Sequence, residues 1–508
     1  MSIFDRFFAF ADRWVLRVER PRSPLLLFAG LAALLVLQLW PGAWTGNEED
    51  YFQLGYRTFA PEKFSQFHAV FDASRARFVP LYLLGSAVRL LGYDGAHAVT
   101  RILMAILYAA GLAYFLSALR LSVWDALLII VAFMLAGEFL IGGEWLFQGV
   151  EPKTVAYGLV LFAFGFALRR RWIAATVAGA AATYMHFLVG GFWTLMILVQ
   201  QWLETKQPRE LLRCLAAYGI LTLPLVWLIA QDQLAGGAVP AIRLADKIYA
   251  TRAPWHVAPF ASRREFWEWT PGIVNIFALL LVLGAVESRQ RATAPSVALV
   301  LRTALFGLAY LLAALAAAFL DRHTQLLGKL FLFRPSSLTL LLALTTIVAL
   351  VSEGLPEGVA ALKSLVVFAL VVSFSWRACK MQVDRSRLRS AIPERGELVA
   401  AVVSHTAPGD VILIEPFREF DADYLSLHRQ IPRPTLVSWK FVPTNPVDIL
   451  RWQSYIEMRS DVFAKGCVAP MSMPVRWLVT LRPESVARLA NCGPAVWRRG
   501  NVALIPVP

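Results

Sequence analysis

Apolar runs recur along most of this chain, and they decide what it can fold into. Candidate segments fall at 23–40, 78–92, 97–119, 124–141, 154–168, 173–188, 189–203, 212–230, 272–286, 303–319, 337–352 and 359–376. A helix rises about 1.5 Å per residue, so some 17–25 apolar residues cross about 30 Å of hydrocarbon. Lipid offers the backbone no hydrogen-bond partner, so such runs must be helical. Hydrophobic residues make up 58% of the 508 and charged residues 17%, against about 25% charged in a soluble domain. In a soluble protein the net charge of +14 would point to nucleic acid. Here the arginines flank apolar runs, and no basic patch with aromatic platforms lies elsewhere. The charge therefore reads as orientation in a membrane, with membrane lipids as partners and no nucleic acid.

The expected fold class is an α-helical polytopic membrane protein of about 11–13 transmembrane helices with a C-terminal soluble α/β domain. Arg169-Arg170-Arg171, Lys206 with Arg209 and Arg213, and Arg289 with Arg291 mark cytoplasmic ends. The loops at 41–77, 142–153, 231–271 and 321–336 and the turn at His186 then face outward. One inconsistency stands. Three candidate segments separate the 41–77 loop from the Glu151 loop, where an even number is needed. Residues 1–22 carry Phe4, Phe7, Phe8 and Trp14 against Arg6, Arg13, Arg17 and Arg20, the pattern of an interfacial amphipathic helix. They have too much charge for a cleavable signal peptide.

Past the membrane domain, 23–376, hydropathy falls and proline becomes frequent. Residues 377–508 are expected to form a soluble periplasmic α/β domain. Strand candidates are Val411–Glu415, Thr435–Ser438 and Arg476–Thr480; Glu397–Ser404 and Pro446–Met458 have helical spacing. In an oxidising compartment Cys467 and Cys492 could pair, or both could stay free. No cysteine has CxxC spacing, which speaks against a zinc or redox site.

Several polar groups sit where packing alone does not explain them. Glu48-Glu49-Asp50 directly follows the first span, and each carboxylate would cost roughly 2.5–3.5 kcal/mol in hydrocarbon. The triplet therefore sits in water or in a protein cavity, where it could take a proton or hold a cation. His68 belongs to the polar remainder of that loop. Glu144, Glu151 and Lys153 offer a second acidic cluster, although Trp145 equally suits an interfacial anchor. His186 reads as a hydrogen-bonded structural residue or a site residue. Arg252 and His256 lie in an outside loop rich in Arg, fit for an anionic lipid or substrate. His323, Lys329 and Arg334 are cations among Leu and Phe, suited to a phosphate at the lipid boundary or to snorkelling. The chain has no GxGxxG, Walker, HExxH or GxSxG motif, so chemistry on a soluble nucleotide-sugar is unsupported.

Glu48-Glu49-Asp50-Tyr51-Phe52 resembles the Asp-Glu-x-Tyr-Tyr pattern in the first outside loop of the GT-C superfamily of membrane glycosyltransferases. That group includes the protein O-mannosyltransferases and the bacterial aminoarabinose transferases. Leu91-Gly92, Arg101 and an acidic residue closing the fourth segment are similar too. The pattern covers roughly the first 200 residues. The departure is Glu48 where the superfamily has Asp. Trp439-Lys440, Pro443, Trp452 and Arg459 in the tail resemble bacterial members.

The resemblance implies a transferase that moves a sugar from a polyprenyl-phosphate donor to a glycan, lipid or protein acceptor at the outer face of the bacterial cytoplasmic membrane. It makes Glu48 the base for the acceptor hydroxyl, with Glu49 or Asp50 orienting the acceptor or a metal. His68, Glu151, Lys153, His186, Arg252 and His256 would bind substrate, and His323, Lys329 and Arg334 the lipid phosphate. No cofactor is certain; a divalent cation such as Mg or Mn on Glu49 and Asp50 is compatible but not required. Rival readings are a polymerase or ligase of lipid-linked glycans, and a lipid or sugar transporter. The transporter would want broken helices at the midplane and internal pseudo-symmetry, and neither is visible.

Overall fold

The computed structural model describes residues 24–64, 75–234, 239–289, 294–353, 357–387, 394–416, 422–443, 445–467 and 475–507. The amphipathic segment expected at 1–22 and His68 lie outside these residues. The chain divides into two compact units. The first holds Met1–Trp40, Val99–Val226 and Tyr249–Gln382; the second holds Pro41–Ala98, Trp227–Ile248 and Val383–Pro508. The C-terminal residues thus share their unit with the 41–77 segment, which sequence reasoning grouped with the membrane domain.

The helices in chain order are α1 (Pro24–Gln38), α2 (Gly46–Tyr56), α3 (Phe78–Ser117), α4 (Val123–Leu135), α5 (Pro152–Leu168), α6 (Trp172–Met185), α7 (Phe187–Thr205), α8 (Pro208–Leu234), α9 (Val239–Arg252), α10 (Pro254–Val257), α11 (Arg263–Arg289), α12 (Pro295–Leu320), α13 (Ser336–Glu353) and α14 (Glu357–Arg387). Six of them are long and apolar enough to cross a membrane, and five shorter apolar helices accompany them among the described residues. This is a multi-pass membrane protein. Small residues let its helices approach closely. A Cβ on Gly190 of α7 would lie 2.1 Å from the Thr183 nitrogen of α6.

The segments behind the parity problem meet in α3. The sequence offered two spans, 78–92 and 97–119, but they form one helix interrupted at Gly92, whose φ of 68° and ψ of 174° are not helical. Residues 78–91 alone reach only about 21 Å at 1.5 Å per residue, short of the hydrocarbon thickness. Phe78, Tyr82, Leu83, Leu90 and Leu91 are exposed. Joined in this way, Phe78–Ser117 is one continuous element between the 41–77 loop and α4, in place of the two segments read from sequence.

The second unit is built on a sheet of β1 (Val411–Ile414), β2 (Val475–Thr480), β3 (Trp497–Arg499) and β4 (Val502–Pro506) in the order β1-β2-β4-β3. β1 and β2 run parallel; β4 pairs antiparallel with β2 and β3. Three further helices, α15 (Arg395–His405), α16 (Ala422–Gln430) and α17 (Pro446–Lys465), cover it. Leu398, Val402, Leu425 and Trp452 from these helices join Val411–Ile414, Leu478 and Leu504 in the core, together with Leu54 and Phe64 from the 41–77 segment and Leu81 from α3. Thr435, expected in a strand, makes only an isolated bridge to Ile412. Cys467 and Cys492 form a disulfide.

Candidate active site

In the second unit the acidic triplet opens α2. Thr45 is its N-cap, and the Glu48 side chain completes a capping box: Thr45 N–H donates to Glu48 Oε2 at 2.8 Å, and Glu48 N–H donates to Thr45 Oγ1 at 3.2 Å. Helical spacing turns Glu48, Glu49, Phe52 and Gln53 inward. Both glutamates are fully buried. Glu48 Oε2 also lies 3.3 Å from His97 Nε2, and the His97 ring stacks on Trp44 with centroids 4.2 Å apart.

Glu49 points to a different partner. Arg429, on α16, donates from Nε to Oε2 at 2.8 Å and from Nη2 to Oε1 at 3.3 Å, while Ser426 Oγ donates to Oε1 at 2.5 Å. The guanidinium lies 4.2 Å from the Trp44 ring centroid, and the Arg429 carbonyl accepts from Lys63 Nζ at 3.1 Å. Burial pushes the Glu49 carboxyl above its usual range, opposed by Arg429 and Ser426. Burial also takes the Lys63 ammonium down to about 8. Both Glu49 oxygens are thus occupied by protein donors, so this donor set does not suit the divalent cation proposed for Glu49 and Asp50. Asp50 is half-buried.

The first unit holds a second cluster, on the loop between α4 and α5 and its neighbours. Glu138 takes a left-handed φ of 69°, and its Oε2 accepts from the Leu146 and Phe147 N–H groups, both at 2.7 Å. Ser336 Oγ accepts from Leu140 and Ile141 N–H, each at 2.9 Å. Arg101 Nη1 donates to the Trp40 carbonyl at 3.1 Å and Nη2 to that of Gln148 at 3.4 Å. The loop so fixed presents Glu144 and Glu151 to Lys153, at 2.7 and 3.0 Å. All three are buried, and Lys153 Nζ sits 4.6 Å from the Trp145 ring centroid.

His256 and Arg334 join this cluster. His256 Nδ1 donates to the Gly142 carbonyl at 2.7 Å, which leaves Nε2 as the acceptor nitrogen. Gly142 is needed there: its φ is 79°, and a Cβ would meet Phe333 Cβ at 2.8 Å. Burial pushes the His256 imidazole down to about 4, so it is neutral at pH 7. Glu144 is held at about 2: burial acts to raise it, but Lys153, Arg334 and His256 more than offset that. A carboxylate so firmly ionised is a poor base and a good anchor for a cation. Arg334 lies over the Phe331 ring at 4.3 Å, and its Nε is buried with no hydrogen-bond partner among the described residues. Its carbonyl accepts from Tyr157 at 2.6 Å.

Of the residues singled out from sequence, Glu151, Lys153, His256 and Arg334 come together, with Glu144. His186 is the N-cap of α7, its Nδ1 accepting from Val189 N–H at 3.3 Å; the structural reading fits it. Arg252 closes α9, half-buried. His323 is exposed after α12 and joins none of the described contacts of the cluster. Lys329 lies in the short 3-10 turn Gly328–Leu330. Sequence reasoning missed His97, Arg429 and Glu138. Arg429 lies 380 residues from Glu49, and nothing in its own neighbourhood sets it apart.

No protein-family model matches the chain, and no curated protein matches it in sequence. Similar solved structures include ArnT from Cupriavidus metallidurans in the apo state, 13% identical with a TM-score of 0.42 and covering 95% of this chain and 97% of that one. ArnT from the same organism bound to undecaprenyl phosphate is also similar, at 14% identity and a TM-score of 0.41 over the same shares.

Proposed function

We propose that this chain is an integral-membrane glycosyltransferase of the GT-C type that moves a sugar from a polyprenyl-phosphate donor to an acceptor at the outer face of the cytoplasmic membrane. The observation that carries the reading is Arg334. An unsatisfied buried N–H costs about 1–3 kcal/mol, and an acceptor oxygen would recover it. A planar guanidinium held on an aromatic ring suits a phosphate oxygen. Lys153 and the neutral His256 stand in the same cluster, the latter with an acceptor nitrogen for a sugar hydroxyl. Arg334 would stabilise the phosphate as it leaves, where charge develops. The motif at Glu48–Phe52 supports Glu48 as the base that takes the acceptor proton. The Cys467–Cys492 disulfide supports an oxidising, hence outer, compartment for the C-terminal residues.

Two variants test these roles separately, with purified protein and a lipid-linked sugar. Arg334→Gln is expected to lower transfer by roughly 10²–10³-fold, the scale of losing one donor to a developing oxyanion. The exposed Arg322→Gln should leave transfer intact. Glu48→Gln keeps a capping box, because Gln also serves at that position, yet removes the base; transfer should drop about 10²–10⁴-fold. Wild-type rates in Arg334→Gln would remove the phosphate role, and wild-type rates in Glu48→Gln the base role.

A further inference from the structure

A cavity of about 810 Å³ opens in the first unit where α3, α5 and α13 end and α4 and α12 begin. That volume lies within the ~300–1,000 Å³ of ligand sites. Its charged lining is Arg120, Arg170, Lys363 and Asp125. Asp125 is already engaged: Ser352 Oγ donates to it at 2.6 Å, Lys363 Nζ at 2.9 Å and Ser122 Oγ at 2.7 Å. With Lys363 neutralised by Asp125, two arginines remain. Both are exposed, and both hold the left-handed φ of 58°, which costs a non-glycine residue on the order of 1 kcal/mol. Glu204 feels the charge of Arg170, but no ion pair of either arginine occurs among the described residues. Ser296, in the first turn of α12, also lines the cavity, and that helix start carries no side-chain cap. The helix dipole favours an anion there as well.

We propose that this cavity holds the phosphate headgroup of an anionic membrane phospholipid, with Arg120 and Arg170 as its charge partners. The occupant follows from position and lining. The cavity lies at the ends of membrane helices, beside the Arg169–Arg171 run, where anionic headgroups are concentrated. Leu119, Leu121 and Leu168 add apolar wall that a free inorganic ion would not use. The site is separate from the Glu144–Arg334 cluster and does not depend on the transfer reaction.

The test is lipid retention by the full-length protein, relipidated with equal phosphatidylglycerol and phosphatidylcholine and read by native mass spectrometry. The wild type should prefer phosphatidylglycerol. Replacing both arginines, Arg120→Asn with Arg170→Asn, should cut that preference roughly tenfold or more. Asn tolerates the left-handed backbone, so the fold should survive; a Gly pair serves if it does not. Arg209→Gln with Arg213→Gln, exposed arginines outside the cavity lining, should retain the preference. A wild type without preference, or an Asn or Gly pair that keeps it, overturns the proposal. So does inorganic phosphate that displaces phosphatidylglycerol completely, since the site would then serve a free anion.

Discussion

Breaking the Glu49–Arg429 pair should destabilise the second unit severely, and breaking it from both sides should hurt less. Glu49 is fully buried and the Arg429 side chain is 8% exposed. Removing one partner leaves a buried charge uncompensated, at about 3–5 kcal/mol. For a domain of 150–250 residues each kcal/mol lowers Tm by about 2–4 °C. Arg429→Met or Glu49→Leu alone should therefore lower the melting temperature by roughly 10 °C or more. The double variant replaces both ions with apolar volume and should melt above either single variant. Intrinsic fluorescence during thermal unfolding in detergent reads this directly, because Trp44 lies against the guanidinium. Strict additivity of the two losses would show that the two groups do not act as a pair.

Two further outcomes follow from the same unit. The Cys467–Cys492 bridge closes a loop of 25 residues, worth about 3.5 kcal/mol of chain entropy; Cys467→Ser with Cys492→Ser should lower the thermal midpoint, and reductant should have no further effect on that variant. His428 is buried, and burial pushes its imidazole down to about 3, with the Arg459 charge adding to the effect. Protonation then favours the unfolded chain, whose His titrates near 6.5. The His428 contribution is complete above about pH 6.5 and is lost as pH falls from there toward 3. Replacing it with Gln should flatten the stability profile over that window; an unchanged acid slope would rule out His428 as its source.

The membrane architecture was legible because apolar runs are local, one-dimensional signals. Residues 78–92 and 97–119 were read as two segments because hydropathy reports a segment's partition and not its continuity, whereas the structure joins them in one helix broken at Gly92. β1 and β2 were legible as apolar runs after turn residues. β3 and β4 were not, since Trp497-Arg498-Arg499 is charged and largely exposed and reads as a loop. In the candidate site, Glu144, Glu151 and Lys153 were visible together because they share one short loop. His256 and Arg334 were visible as basic residues in the 231–271 and 321–336 loops. Arg429 was not visible, because its role depends on a fold that brings the chain's end onto its first loop. The triplet also changed meaning: helical phase sends Glu48 to His97 and a cap, and Glu49 to Arg429.

The Gly92 torsion reaches beyond its own helix. A straight Phe78–Ser117 would be about 60 Å long, twice the hydrocarbon thickness, and the break at Gly92 lets its two parts take different directions. The number of crossings made by 78–117 sets the side on which every later loop emerges. The Cys467–Cys492 pair and the Arg169–Arg171 run both lie downstream of that count. A single glycine torsion thus stands upstream of the sidedness of everything that follows it in the chain.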